Sequence, residues 1–326
     1  MADPALDGSP TPGGGSTAER PVAGTRQVFL PSEVDPTVFD EAFLRQLERL
    51  LLLMRSPVRG GLKGGRRSVK RGQSVEFADY RDYTIGDDLR QLDWNVYARL
   101  ERLFVKLFIE EEDVTVTLLV DASASMAHGS PDKLMFAKRA AAALGYIALA
   151  SEDRVVISAL AGRAARRRAA LRGSGRALRL LAELSAIDPA PGPTDLHAAV
   201  RHASAQLSGR GAVVLISDLL DPSADRAIRE LAGTGSEVVV LHVLAPDELR
   251  PDLEGDLRLV DAETAATVEV TVDLAALERY TDRVEAWRAG LAELCARRRV
   301  SYAPVESDLP LSDLVFAELR RRRVVG

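Results

Sequence analysis

Thiols are almost missing from this chain. Cys295 is its single cysteine, which excludes an intramolecular disulfide and any cluster of thiolate metal ligands. Long apolar runs are missing too. The longest, "AAAALGYIALA" at 140–150, falls short of the about 18 residues that a bilayer span needs and reads as a buried helix. The start, "MADPALDGSPTPGGGST", has no basic stretch followed by an apolar one, so no secretory signal is read there. Positive charge is not in excess: 43 Lys and Arg against 48 Asp and Glu leave a net −5, which removes any overall bias toward nucleic acid or anionic lipid. These absences predict a cytoplasmic protein with no transmembrane segment and no nucleic-acid partner. What is present, 46% apolar and 28% charged residues over 326 positions, is the composition of a globular chain with a sizeable core.

Along the chain, residues 1–30 are rich in Pro, Gly, Ser and Ala and read as a disordered tail. Residues 31–56 hold an amphipathic helix: "VFDEAFLRQLERLLLLMR" (38–55) sets Phe43, Leu47, Leu50 and Met54 on one face, suited to docking on the body rather than on a membrane. Residues 57–113 read as a β-rich segment. It opens with the basic, glycine-rich "PVRGGLKGGRRSVKRGQ" (57–73), which lacks G-x-x-x-x-G-K-[ST] and a following helix, and so reads as an exposed loop rather than a phosphate cradle. Two short strand-like runs around a polar centre follow.

From 114 to 326 strands alternate with helices. Strands are predicted at 115–120, 154–160, 212–218, 237–244 and "VSYAPV" (300–305). Helices are predicted near 131–150, 175–186, 195–208, 223–233, 274–298 and 311–323. A β-hairpin insertion near 251–272 turns at Ala262–Thr264. Apolar strands alternating with helices imply an α/β fold, a mostly parallel sheet covered on both faces.

Chemistry gathers at the predicted strand ends. "VTVTLLVDASASM" (114–126) ends a buried strand in Asp121, with Ser123 and Ser125 at alternate positions after it. Asp218 ends the strand at 212–217, and Thr194, in "GPTDLHAAV", stands just before a helix. Ligands of open parallel sheets bind beyond the carboxyl ends of the strands. All five side chains are hard oxygen donors, the set that suits Mg²⁺, with Mn²⁺ or Ca²⁺ as substitutes. Alone, Asp and Ser after a strand are ordinary caps for loose amides; the three segments together point to a metal.

This constellation resembles the metal-ion-dependent adhesion site of von Willebrand factor A-type domains, with D-x-S-x-S, a loop threonine and a later aspartate carried here by "DASAS", "GPTDLHAAV" and "SD". The resemblance implies a von Willebrand factor A-like fold in which the serines and threonine hold Mg²⁺ and a partner's Asp or Glu completes the shell. Asp195 and Asp221 are neighbouring acids outside the pattern. The preceding stretch is similar to a bacterial family known as domain of unknown function 58, which joins Arg-x-Tyr, Gly-Asp-Asp-x-Arg, Asp-Trp and Ala-Arg to such a unit. Here these are Arg81 and Tyr83; Gly86, Asp87, Asp88 and Arg90; Asp93 and Trp94; Ala98 and Arg99. The match runs over roughly 60–326 and is densest at 77–126. It implies partnership with a MoxR-type AAA+ ATPase.

The charged residues of that stretch read as a salt-bridge network pinning it to the α/β core, and Trp94 as a packing anchor. His128 and His197 lie near the site in sequence, yet zinc is disfavoured; His242 reads as a satisfied core residue and His202 as a solvated helix position. The "ARRR" runs at 165–168 and 296–299 and "RRRR" at 320–323 read as solvated faces or helix-end charges. The function expected is a non-enzymatic, metal-dependent interaction module. The alternative is a phosphatase-like, metal-dependent hydrolase using Asp121, but the second acid that chemistry needs two residues on is replaced by Ser123.

Overall fold

The computed structural model describes residues 34–55, 76–85, 87, 89, 92–109, 114–207 and 211–314. The expected tail, the glycine-rich basic loop, Gly86, Asp88, Arg90 and the arginines at 320–323 lie outside these residues.

Helix α1 (Glu41–Arg55) comes first. Strands β1 (Glu76–Asp82) and β2 (Phe104–Ile109) pair antiparallel, with α2 (Trp94–Leu100) between them. The α/β body then runs β3 (Thr115–Asp121), α3 (Lys133–Ala150), β4 (Arg154–Ala161), β5 (Ala164–Arg172), α4 (Ala177–Ser185), α5 (Leu196–Ser204), β6 (Gly211–Ser217), α6 (Ala224–Ala232) and β7 (Glu237–Leu244). A short α7 (Pro246–Leu249), the hairpin β8 (Gly255–Val260) and β9 (Thr267–Val272), then α8 (Leu274–Arg297), β10 (Ser301–Glu306) and the helical turn α9 (Leu311–Asp313) follow.

The central sheet has the order β10-β7-β6-β3-β4-β5. Every neighbouring pair is parallel except β4–β5. The fold is therefore the expected α/β arrangement, with an antiparallel edge that the sequence did not announce. β5 contains the "ARRR" run: Arg166 and Arg167 are exposed, as expected of that run, but on a strand. Only one neighbour orders this strand, so its apolar alternation is weak, and arginines on an edge discourage further pairing.

Because both faces are covered, side chains alternate between two cores. Leu118, Val120, Val214 and Ile216 pack toward α3 and α4, while Leu119, Val213 and Leu215 pack toward α5, α6 and α8. Helix α3 is buried nearly all round, with Ala140 to Ala143 fully enclosed. Gly145 lets α4 approach: a Cβ there would meet Leu180 at 2.9 Å.

Helix α1 docks on the body through Phe43 and Leu47, which join the α3-side core together with Phe39 just before the helix. The Arg139 guanidinium lies over the Phe43 ring at 5.6 Å and donates to the Val38 carbonyl at 2.7 Å. The side chains of Leu50 and Met54 lie outside the described residues.

The β1–α2–β2 segment differs from expectation in two ways. Among the described residues its ion pairs Arg81–Asp87 and Arg102–Asp82 close within the segment rather than onto the core; Arg99 is exposed. Trp94, expected as an anchor, is 61% exposed. It opens α2, whose amides are capped by Asp93, and its ring meets only the edge of Tyr97 at 6.2 Å among the described aromatic contacts. In a helix of seven residues with no buried position, a ring has no core to reach.

Candidate metal centre

Strand order reverses between β3 and β6: β4 lies on one side of β3 and β6 on the other. Such a switch point opens a crevice beyond the strand ends. Asp121 is the last residue of β3, and Asp218 follows the last residue of β6 directly.

Asp121 is buried. One carboxylate oxygen accepts the Ser123 N–H at 2.9 Å and the other accepts the Ser217 hydroxyl at 2.6 Å. The first bond turns the chain sharply after the strand, so that Ser123 and Ser125 come onto one side with their hydroxyls 3.0 Å apart. Met126, fully buried, anchors the short 3₁₀ turn that follows.

Thr194 arrives on the loop between α4 and α5. That loop is stitched to both neighbouring strand ends: the Ala190 N–H donates to the Ala122 carbonyl at 2.7 Å, and the Asp195 N–H to the Gly162 carbonyl at 2.9 Å. The Thr194 hydroxyl is buried and has no hydrogen-bond partner among the described residues. Its N–H donates to a carboxylate oxygen of Glu263 at 2.9 Å. A buried hydroxyl left unpaired costs free energy that a ligand would recover.

Asp218 is 2% exposed. One oxygen accepts the Leu220 N–H at 3.2 Å; the other accepts from the Lys133 ammonium at 2.8 Å. Lys133 is wholly buried and also pairs with Glu248 on α7. Two carboxylates, from Asp218 and Glu248, thus share one ammonium, and Asp121 feels the charge of Asp218 from its own hydrogen bonds to Ser123 and Ser217. Burial raises the pKa of Asp121 above the usual carboxylate range, and the nearby charge of Asp218 adds to that; the hydrogen bonds from Ser217 and Ser123 act in the opposite direction. Two buried acids, Asp121 and Asp218, thus lie close together at the strand ends, the second paired with Lys133.

Asp121 and Asp218 thus end neighbouring strands, Ser123 and Ser125 follow the first, and Thr194 is tied in through its loop; four residues that support them were not foreseen. Ser217 lay unassigned within the quoted "SD". Lys133 had a usable signal: it is the first residue of α3, where the helix dipole disfavours a cation, so an acidic partner had to be near. Glu248 and Glu263 sit on α7 and the hairpin tip, far away in sequence and without a motif.

The remaining candidates have other tasks. Asp195 caps α5 through the Ala198 N–H at 2.9 Å, and that bond, more than the nearby Arg163, lowers its pKa. Asp221 accepts the Ser223 N–H at 2.6 Å. His128 faces Asp247 at 3.1 Å on the surface, and His197 faces Glu230 at 3.9 Å. His202 is exposed and accepts the Ala165 N–H at 3.0 Å. Among the described residues no group of three or more His, Cys, Asp or Glu is placed to hold a metal, so a cation here would rely on hydroxyls. His242 is a satisfied core residue. Its Nε2–H donates to the Asp218 carbonyl at 2.9 Å, so its Nδ1 accepts from the Tyr302 hydroxyl at 2.6 Å. Burial pushes its pKa down to about 4.

The sequence pattern of the family described as "Protein of unknown function DUF58" matches residues 79–290, and the chain belongs to that family. An uncharacterized protein of Mycobacterium tuberculosis is 29% identical over 303 residues, covering 91% of this chain and 95% of its own length. Among solved structures, the conserved hypothetical protein BatB from Bacteroides thetaiotaomicron is similar at 18% identity and a TM-score of 0.42, covering 65% of this chain and 100% of that one. The SpRpn10 VWA domain is similar at 11% identity and a TM-score of 0.36, covering 63% and 94%. No described helix is long and apolar enough to cross a membrane.

Proposed function

We propose that this family member is a non-enzymatic protein-interaction module whose strand-end site holds a divalent cation, Mg²⁺ first, and uses it to bind a carboxylate of a partner protein. The observation that carries this is the Thr194 hydroxyl, buried and unpaired, on a loop stitched to Ala122, the neighbour of Asp121. Ser123, Ser125 and Thr194 would supply hydroxyl ligands, with Asp121 and Asp218 supplying charge. Such a neutral-rich shell would leave the ion enough residual charge to attract one more carboxylate. Lys133 holds one oxygen of Asp218, which fits that acid acting through water or through its field rather than as a direct ligand.

The partner proposed from the family resemblance is a MoxR-type AAA+ ATPase, served as an adaptor in protein assembly or remodelling. The hydrolase alternative has less support. Both oxygens of Asp121 are already engaged by Ser123 and Ser217, leaving neither aimed at a substrate.

The test is calorimetric titration of Mg²⁺ and Mn²⁺ into the full chain and into a Ser123→Ala/Ser125→Ala variant, followed by binding of the purified ATPase in Mg²⁺ and in EDTA. Saturable binding by the wild type alone is expected. Equal heats from both proteins would sink the metal site; ATPase binding that survives EDTA would sink its role in docking.

A further inference from the structure

The hairpin β8–β9 pairs with no strand of the central sheet. It stands in solvent with Leu259, Val260 and Val268 exposed. A two-stranded hairpin on its own is marginally stable in water, so what ties it down decides where it sits. Its turn is firmly built. One Asp261 oxygen accepts from the N–H groups of Glu263 and Thr264, at 3.0 and 2.6 Å, and from the Thr264 hydroxyl at 2.8 Å. Ala265 closes the turn in the left-handed region, at φ 58°. This geometry presents Glu263, and its carboxylate accepts the Thr194 N–H at 2.9 Å. Among the described residues, that is the hydrogen bond tying the hairpin to the α/β body. Just past the hairpin's foot, the Tyr280 hydroxyl donates to the Glu248 carbonyl at 2.6 Å, and Glu248 is the residue that shares Lys133 with Asp218. The excursion therefore touches both walls of the candidate metal centre.

We propose that Glu263 is the site's own stand-in carboxylate: the hairpin delivers it onto the Thr194 loop, and an acidic segment of a partner protein docks by displacing it. This rests on reading the centre as a cation-held carboxylate receptor. An incoming Asp or Glu offers the Thr194 amide the same acceptor chemistry as Glu263, so the two compete for one position. The hairpin is then a latch that weakens docking by the fraction of time it is closed. A latch closed nine times in ten lowers the apparent affinity about tenfold. The occupant it selects is acidic and needs enough further contact to outbid a tethered acid.

The experiment uses the full chain as wild type, Glu263→Ala and Glu263→Gln, with a fluorescein-labelled peptide of alternating Asp and Glu as the probe and its Asn/Gln counterpart as control. Anisotropy is read in Mg²⁺ and in EDTA. Glu263→Ala is expected to bind the acidic peptide about tenfold tighter than wild type in Mg²⁺. Glu263→Gln should fall between them, because its amide oxygen still accepts the Thr194 N–H. Amide exchange over 188–196 should quicken in Glu263→Ala. The ratio between variants tests the latch, and EDTA tests the metal. Equal affinity of wild type and Glu263→Ala, both abolished by EDTA, overturns the latch and leaves the metal reading standing. Binding that survives EDTA overturns the metal reading. No binding by any of the three proteins overturns the latch, since freeing the loop would have freed no acid-binding position.

Discussion

Two acid-rich clusters in this protein are built from similar residues and end in opposite electrostatic states. In the β1–α2–β2 segment Asp82, Asp87 and Asp93 each have donors. Arg81 meets both oxygens of Asp87 at 2.9 Å, and Thr84 adds its N–H and hydroxyl. Arg102 meets Asp82, and Asp93 caps α2 while accepting the Tyr80 hydroxyl at 2.8 Å. At the strand ends Asp218 and Glu248 share the ammonium of Lys133, Asp121 takes its bonds from Ser123 and Ser217, and the Thr194 hydroxyl has no partner among the described residues. The first cluster is satisfied near solvent and shapes a segment. In the second, Asp121 and Asp218 are buried, and one ammonium lies between Asp218 and Glu248.

Removing Lys133 would break that contrast most severely. Lys133→Met leaves Asp218 and Glu248 without their shared ammonium. Breaking a buried pair on one side costs about 3–5 kcal/mol, read as a lower urea midpoint at pH 7. Added Mg²⁺ should return part of the loss. A variant as stable as wild type would mean that these carboxylates are not buried as charges.

The next effect in size sharpens the comparison by ligand instead of mutation. Mg²⁺ at about a hundredfold over its dissociation constant should stabilise the wild type by about 2.7 kcal/mol, and EDTA should reverse it. Ser123→Ala/Ser125→Ala should lose this increment, while Arg81→Ala should keep it. An increment of the same size in all three proteins would place the cation elsewhere.

Much of this contrast was readable in advance, and unequally. The strand-end half could be read because three segments carry oxygen-bearing residues at element boundaries, where apolar runs stop in Asp121 and Asp218. The sheet's parallel strands were legible for the same reason: burial on both faces makes them continuously apolar. β5 was not, because an edge strand bearing Arg166 and Arg167 loses that pattern. Glu263 was invisible because its role depends on where a hairpin tip lands, 69 residues from Thr194. Trp94 was misjudged because a large apolar ring was given a core that its short helix does not have.

A smaller effect tests the satisfied cluster. The Thr84 N–H, then the Arg81 guanidinium, hold the Asp87 carboxyl well below the usual carboxylate range. A depressed folded pKa gives stability that is fully present above the unfolded value, about 3.9, and is lost as pH falls from there through the folded value. Amide exchange across 80–104 should therefore show local opening only in that acid window. In Arg81→Ala the opening should begin at higher pH, with Mg²⁺ binding unchanged. If opening instead tracked Mg²⁺, the two clusters would be one coupled unit.

The smallest expected effect is at Trp94, and it decides whether the segment is as loosely packed as it looks. The ring is 61% exposed and its neighbour Tyr97 is 43% exposed, so together they bury little area on folding. Trp94→Ser removes one edge-to-face contact at a solvated helix start, where serine is well tolerated. Stability should change by no more than about 0.5 kcal/mol, the range of surface substitutions that touch no special feature. Chemical denaturation of the full chain, followed by far-ultraviolet circular dichroism so that the signal does not depend on the removed tryptophan, gives the number. A loss of several times that size would show the indole buried in solution against a part of the chain beyond the described residues. The segment would then be held by packing, and its satisfied ion pairs would be incidental to where it sits.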